Sequence, residues 1–388
     1  MLKKAILKKG KEEAIARKHP WIFSGAIQEI EPCNSGDLIE ILDHKGRFCG
    51  IGYSGTGSIA LRILSFEPVE INTHFWEQKF RSSLQLRQSL NLGLNTPTNA
   101  YRLVHGEGDG ISGLIVDIYE KNAVIQAHTD GIFEQLESIA EALKIVMGNS
   151  LERIYSKSRA SMHDNEIEDQ YLFGTTGTAI ATENDMRFRI NWEEGQKTGF
   201  FLDQRDNRAL LRTYSEGKSV LNTFSYSGGF SVAALAGGAN KCISVDISQH
   251  AIDLANDNIE LNKMQDRHEG VCADVLKYLG EQTSDYDIVV LDPPAFAKSV
   301  KKKHAATMGY KRLNHLGINR VKPGGLLFTF SCSQVIDTQL FEHTVRAAAI
   351  ESGREAQILH RLSQGPDHPV NIFHPEGHYL KGLVLRVN

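Results

Sequence analysis

The run Leu326 to Ser333, LLFTFSCS, carries a lone cysteine, Cys332, to the end of a β-branched and aromatic strand that follows the turn Pro323-Gly324-Gly325. In open α/β sheets ligands bind outside the carboxyl ends of the strands, so a thiol delivered there is a candidate nucleophile. A second strand, Asp287 to Leu291 (DIVVL), ends in Asp292-Pro293-Pro294-Ala295-Phe296 and brings a carboxyl group out on the same edge. A thiol beside an acid points to covalent chemistry on a nucleobase: sulfur adds to a ring carbon while the acid holds or protonates a ring nitrogen. Free cysteine titrates near pH 8.5, so Cys332 needs a positive neighbour or a bound cofactor to act as thiolate. Asp292 needs its own pKa raised, which the apolar cleft of Pro293, Pro294 and Phe296 would supply. Most cysteines are small buried hydrophobes; the strand-end position between Ser331 and Ser333 sets this one apart.

The elements that must position this pair begin near Asn191, where the chain takes up a strand, loop, helix rhythm. Ser219 to Leu221 is a short strand, and Asn222-Thr223-Phe224-Ser225-Tyr226-Ser227-Gly228-Gly229 turns it into a helix from about Phe230, leaving free N–H groups for a ligand. Cys242 to Val245 is the next strand, with Asp246 at its tip. Asp246 follows Gly228 at roughly the 20-residue distance at which an acid grips a ribose hydroxyl in dinucleotide-type folds. Gln249 to Asn262 is helical, and Gly270 to Ala273 is a strand ending in Asp274. A dehydrogenase would need G-x-G-x-x-G for its pyrophosphate, and Phe224 and Tyr226 stand where the first glycines should be. A cofactor without phosphates needs no such close backbone approach, and S-adenosylmethionine fits. Its amino-acid end belongs at the first loop, with Phe224, Ser225, Tyr226 and Gly228, its ribose at Asp246 and its adenine beside Asp274, and Ile247, Val275 and Asp292 are further cofactor-binding candidates. For Asp274 a helix N-cap is the competing role.

Composition frames the rest. The chain has 388 residues, 41% hydrophobic and 23% charged, enough for two or three domains. A net charge of −4 does not announce a nucleic-acid binder, so such a function must rest on local basic patches. Five cysteines form no C-x-x-C pair and no zinc-spaced Cys/His cluster, which suits a reducing cytoplasm and predicts no metal. The N-terminal stretch lacks the apolar core of a signal peptide, and no run approaches a membrane span. Residues 1–72 read as a small β-rich module with glycine-punctuated hairpins. Its basic edge, including Lys9 and Lys18, precedes Trp21 and Phe23, which could stack bases but could equally be core. Residues 73–188 are mixed, with helical spacing from Thr73 to Leu92 and Phe133 to Met147 and a strand from Ala123 to His128; Gly106 to Gly110 is a plain turn. Lys298, Lys301, Lys302 and Lys303 follow DPPAF and could guide phosphates past the cleft, or form a solvated face.

These motifs together carry a family resemblance. The chain resembles the bacterial large-subunit (23S) ribosomal RNA cytosine-5 methyltransferases that have an N-terminal PUA domain. The resemblance runs nearly end to end: HPWIFSGAI, KTGFFLDQRDNR (Lys197 to Arg208), FSYSGGFSVAAL, SVDISQ, DPPAF, TFSCS and HPEGHYLKG (His374 to Gly382). LDQRDNR and TFSCS together are its most specific part, and Ala295 departs from it, standing where the family pattern has lysine. The resemblance implies a class I methyltransferase (Rossmann-like) seven-stranded α/β sheet over residues 189–388, with its last hairpin antiparallel. Before it would come a PUA domain (1–72) and a mixed α/β linking domain (73–188). It implies that Phe201, Asp203, Gln204 and Arg205 fold over S-adenosylmethionine, and that the partner is 23S ribosomal RNA, naked or in an early assembly intermediate, with a homodimer possible. The residues alone leave two alternatives: an amino-group methyltransferase of adenine or guanine, which would use the Asp-Pro-Pro-aromatic loop without a cysteine, and an inert RNA-binding assembly factor. Intact Asp246, Asp292 and Cys332 weigh against the last.

Overall fold

A computed structural model describes residues 2–162, 167–281, 283, 285–297 and 299–388. Lys298 of the expected basic loop lies outside the described residues. The chain divides into two compact units, the first comprising Met1–Ala181, Ile190–Phe200 and Pro366–Gly377, the second Thr182–Arg189, Phe201–Gly365 and His378–Asn388.

The first unit holds two sheets. One has six strands in the order Trp21–Phe23, Ile59–Ser65, Phe48–Ser54, Leu38–Leu42, Lys3–Leu7, Ile27–Ile30, and encloses a small core of Leu7, Ile22, Ile39, Ile41, Leu61 and Ile63. The other has five strands, with Leu114–Tyr119 flanked by Ala100–His105 and Asn122–Ala127, and packs its apolar side on the helices Thr73–Ser89 and Leu136–Met147. The turn at Gly106 is a short 3₁₀ segment, and Asp109 within it pairs with the fully buried Arg87, whose Nη2 also donates to the Asp367 carbonyl at 2.8 Å.

The second unit is built on a seven-stranded sheet, named here in chain order: β1 Ser219–Thr223, β2 Lys241–Asp246, β3 His268–Cys272, β4 Tyr286–Leu291, β5 Val321–Ser331, β6 Ala356–Leu362 and β7 Lys381–Val387. Their spatial order is β3-β2-β1-β4-β5-β7-β6. The first five run parallel; β7 is antiparallel to both β5 and β6. Parallel strands are covered on both faces, which is why β4 reads as the near-continuous apolar run Ile288-Val289-Val290-Leu291, every member of it buried. Helices Lys303–Asn319 and Thr338–Ser352 supply Leu313, Ile318, Phe341 and Val345 to the shared core. The strand order reverses direction between β1 and β4, the switch point at which such sheets open a ligand crevice.

Pro323-Gly324-Gly325 is not the turn expected before β5. Tyr286 pairs with Val321 but Ile288 pairs with Leu326, so the extra residues bulge out of one continuous strand. Gly324 takes φ +79°, which glycine adopts freely, and the ladder closes again on either side of it.

In this unit a buried ion pair fastens the Arg205–Tyr214 helix to the hairpin strand Ala179–Glu183: Arg208 Nε and Nη2 meet the two Glu183 carboxylate oxygens at 2.7 and 2.6 Å. Both side chains are almost wholly excluded from water. Removing one partner of such a pair leaves an uncompensated buried charge. Arg208→Met is therefore expected to lower the unfolding free energy by about 3 kcal/mol or more, measured by urea denaturation, whereas an unchanged midpoint and slope would show the pair to be energetically idle.

Candidate active site

The loop after β1 is held in an uncommon backbone shape. Phe224, Tyr226 and Gly228 have φ of +55°, +43° and +75°. Left-handed non-glycine residues cost about 1–3 kcal/mol each and persist only where the surroundings over-determine them. Here the Tyr226 N–H donates to Asp246 Oδ2 at 3.0 Å, while Asp246 Oδ1 accepts from the Ser248 N–H at 3.0 Å. The carboxylate at the tip of β2 thus fixes the loop and keeps further lone pairs for a ligand. Gly228 is required on a second count, since a Cβ there would lie 3.0 Å from Ala255 Cβ in the helix Gln249–Leu261. Ser225 Oγ and Asn222 Oδ1 are buried and have no hydrogen-bond partner among the described residues. Ile247, next to Asp246, is 71% exposed, a large apolar side chain left open beside the loop. Asp274 is exposed and takes the capping role weighed from the sequence, its Oδ1 accepting from the Lys277 N–H at 2.8 Å; Val275 behind it is buried.

Asp292 and Cys332 leave adjacent parallel strands at the same edge, β4 pairing Leu291 with Thr329 of β5. The segment Phe201 to Arg205 is brought to them. Gln204, buried, donates from Nε2 to Asp292 Oδ1 at 3.0 Å and accepts from Asn207 at 2.6 Å, and the Phe201 ring meets Tyr226 edge-on at 5.4 Å. Arg205 is buried, with Nε 3.2 Å from Asp206. Ser333, next to Cys332, donates to the Ala297 carbonyl at 2.8 Å, so the strand end that carries the thiol is tied to the loop that carries the acid. The buried Tyr310 hydroxyl is pushed up to about 12, first by burial, with the charges of Cys332 and Asp292 adding to it. It stays neutral at pH 7.

Residues 164–385 match the S-adenosylmethionine-dependent methyltransferase family, and residues 5–66 match a PUA-like domain. The ribosomal RNA large subunit methyltransferase I of Shigella boydii serotype 4 is 37% identical over 98% of both chains, and its namesake in Enterobacter sp. strain 638 is likewise 37% identical over 98% of both. The chain belongs to this methyltransferase family. In fold it matches an S-adenosylmethionine-dependent methyltransferase from Streptococcus mutans (TM-score 0.84, 24% identity, all of both chains) and a methyltransferase solved with SAH (TM-score 0.86, 24% identity, all of both chains).

S-adenosylmethionine is the methyltransferase's cofactor, and the β1 and β2 tips fit it. They offer an oriented carboxylate for the ribose, an open apolar side chain at Ile247 for the base, and the unpartnered Ser225 hydroxyl in the strained loop. We propose that Phe224, Ser225, Tyr226, Gly228, Asp246, Ile247 and Val275 hold it, that Gln204, Arg205 and Asp292 close the reacting end and that Asp274 contributes its second carboxylate oxygen. In the first unit Lys9 and Lys18 are exposed, whereas Trp21 is half-buried, its Nε1–H donating to Glu107 Oε1 at 2.9 Å and its ring edge-on to His374 at 4.2 Å. Phe23, 49% exposed, is the more open aromatic there. In the second unit Lys301 and Lys302 are exposed, and Lys303 sits 3.7 Å from Asp337.

One residue of the site carried no role in the sequence. Lys381, the first residue of β7, is buried and donates to the carbonyls of Ser333 and Tyr379 at 2.6 and 2.7 Å. The only mark it left was its place in HPEGHYLKG, a lysine opening a mostly apolar strand. Tyr379 in turn donates its hydroxyl to Asp203 at 2.7 Å, linking this corner to the LDQRDNR segment.

If Asp246 accepts the ribose hydroxyls, Asp246→Ala should weaken S-adenosylmethionine by about 1.5–3 kcal/mol, the cost of losing hydrogen bonds to a charged group. Titration calorimetry on the folded variant checks this, and an unchanged affinity would remove Asp246 from the site.

Proposed function

We propose that this methyltransferase acts on carbon 5 of a cytidine in large-subunit ribosomal RNA through a covalent bond to Cys332. The relatives' names supply the RNA; the placement of Cys332 beside Asp292 at the ends of adjacent parallel strands carries the chemistry. Carbon 5 of cytosine is a poor nucleophile. When the Cys332 thiolate gives its electron pair to carbon 6, the ring π electrons shift toward the nitrogen beside the amino group, which Asp292 protonates, and the ring becomes an enamine nucleophilic at carbon 5. S-adenosylmethionine, when bound, supplies the electrophilic methyl group. A base then takes the carbon-5 proton, the C5–C6 double bond re-forms, the sulfur leaves with its electron pair as thiolate, and the ring nitrogen returns its proton to Asp292. Gln204, through its bond to Asp292, holds the acid in place for the first of these steps.

The target base must be unstacked before the half-buried Cys332 thiol can reach it, so the substrate is a single-stranded or flipped cytidine, in naked RNA or an early assembly intermediate. Lys301, Lys302 and Lys303 border this cleft and are suited to the flanking phosphates, with Lys9, Lys18 and Trp21 of the PUA-like domain as a separate RNA-facing set.

Cys332→Ala is expected to abolish turnover while leaving cofactor and RNA affinity near the parent values, because the nucleophile acts in the chemical step. RNA carrying 5-fluorocytidine should trap the parent protein, since fluorine occupies the place of the departing proton, and mass spectrometry should map the adduct to the peptide containing Cys332. Full activity in Cys332→Ala, with the label on an exocyclic nitrogen, would overturn the cytosine-5 reading in favour of amino-group methylation. A protein that transfers no methyl group to any RNA, though folded and loaded, would overturn it in favour of a non-catalytic role.

A further inference from the structure

We propose that Lys381 is the counter-ion that makes Cys332 a thiolate: a buried ammonium anchored to the backbone on either side of the nucleophile's strand end, acting through the sulfur rather than on substrate. This rests on the covalent reading above and names the positive neighbour that reading requires.

The placement follows from strand pairing. Strand β7 is antiparallel to β5 and pairs its first residue, Lys381, with Ser331, the last residue of β5, so Cys332 follows directly on the paired position. The ammonium is fixed by two carbonyls, one of which belongs to Ser333, the residue just past the cysteine. An ammonium has three N–H donors, and the third has no hydrogen-bond partner among the described residues. Lys381 is only 4% exposed. A buried ammonium satisfied by neutral carbonyls alone leaves its charge uncompensated, and the interior favours an anion beside it.

The groups that face the pair leave Cys332 as that anion. Asp337 acts on Lys381, but its carboxylate already caps the helix Thr338–Ser352 through the Leu340 N–H at 2.8 Å and sits 3.7 Å from Lys303. His378 is pushed down, first by burial and then by the charge of Lys381, so it is neutral at pH 7. Tyr310 is neutral for the reason given above, and Asp292 is engaged by Gln204. The Lys381 pKa lies at about 8, pulled down by burial and partly held up by the negative charges of Cys332 and Asp337. The attraction works in both directions: what holds the proton on Lys381 also removes it from Cys332, whose thiol proton goes to solvent while the ammonium keeps its own. A thiol's reactivity follows its thiolate fraction, so the lysine sets the pH at which the nucleophile becomes available.

The test uses the full-length protein without RNA or cofactor. Iodoacetamide labelling of the Cys332 peptide, followed by mass spectrometry across pH 5.5 to 9.5, reports the thiol's titration. The expected midpoint in the parent protein lies clearly below the ordinary value of about 8.5. In Lys381→Met it should move up by about one pH unit or more, making labelling near pH 7 about tenfold slower, while Lys381→Arg, which keeps the charge, should stay close to the parent. A parent midpoint at or above the ordinary value overturns the proposal, and needs no variant to fold. So does an unchanged midpoint in a folded Lys381→Met. The 5-fluorocytidine adduct is a separate readout: a depressed thiol pKa with no adduct would leave the ion pair standing and remove the cytosine-5 reading, and an adduct with an ordinary thiol pKa would do the reverse.

Discussion

Five strands that all point the same way are the constraint from which this site follows. Because β1 to β5 run parallel, their carboxyl ends fall on one edge, and the residues at or just past those ends arrive there: Phe224, Asp246, Ala273 with Asp274, Asp292 and Cys332. The apolar runs that fix the direction, such as Ile288 to Leu291 and Leu327 to Phe330, are buried, so reversing one would expose it or break its ladder. The chemistry is therefore assembled by packing, far from any local motif. The one antiparallel strand adds what the parallel set cannot. A parallel β7 would begin at the opposite edge from the cysteine; running the other way, it begins where β5 ends, and its first residue, Lys381, lies opposite Ser331.

The charge balance at that edge is lopsided. Carboxylates stand at the tips of β2 and β4 and just beyond β3, where a ribose, a nucleobase and a cationic sulfonium cofactor make acids useful. Among the described residues, positive charge there comes from Lys381 and Arg205 in the interior and from the exposed lysines around residue 301. Sulfur chemistry needs the opposite sign from the rest of the site. A single buried cation can serve the thiol without neutralising the acids because its field is strong only nearby, and Asp246 and Asp274 spend part of theirs on backbone N–H groups.

Much of this was legible in the sequence because it is written locally. A strand announces itself by β-branched and aromatic residues, its end by polar or proline residues, and the order of Asp246, Asp274, Asp292 and Cys332 along the chain already implied a common edge. The contacts that complete the site are not local and left no such trace. Gln204 reaches Asp292, and Lys381 reaches Ser333, only because the sheet brings distant segments together, and no periodicity records which strands will be neighbours. The Pro323-Gly324-Gly325 bulge looks like a turn in the sequence for a related reason: proline and glycine signal a break, but a ladder with partners on both sides can carry a bulge through it. Residues 190–200 and 366–377, which belong to the first unit although they lie within the stretch expected to be catalytic, show the same limit.

Ala295 gives this limit a chemical consequence. The sequence resemblance leads to the expectation of a lysine in the Asp-Pro-Pro loop, and here the half-buried position 295 holds a methyl group that can donate no hydrogen bond and carries no charge. The loop is still anchored, since Ser333 bonds the Ala297 carbonyl and Phe296 packs on Tyr310 with ring centres 4.6 Å apart, so its geometry does not depend on a cation. What the substitution removes is a candidate source of positive charge near the acid. Among the described lysines of this region, Lys303 is beside Asp337 and Lys301 and Lys302 are exposed, whereas the ammonium held by the Ser333 and Tyr379 carbonyls is buried with a donor to spare. The electrostatic help that the sulfur requires is thus drawn from the last strand of the sheet, by way of a strand pairing that the loop substitution leaves untouched.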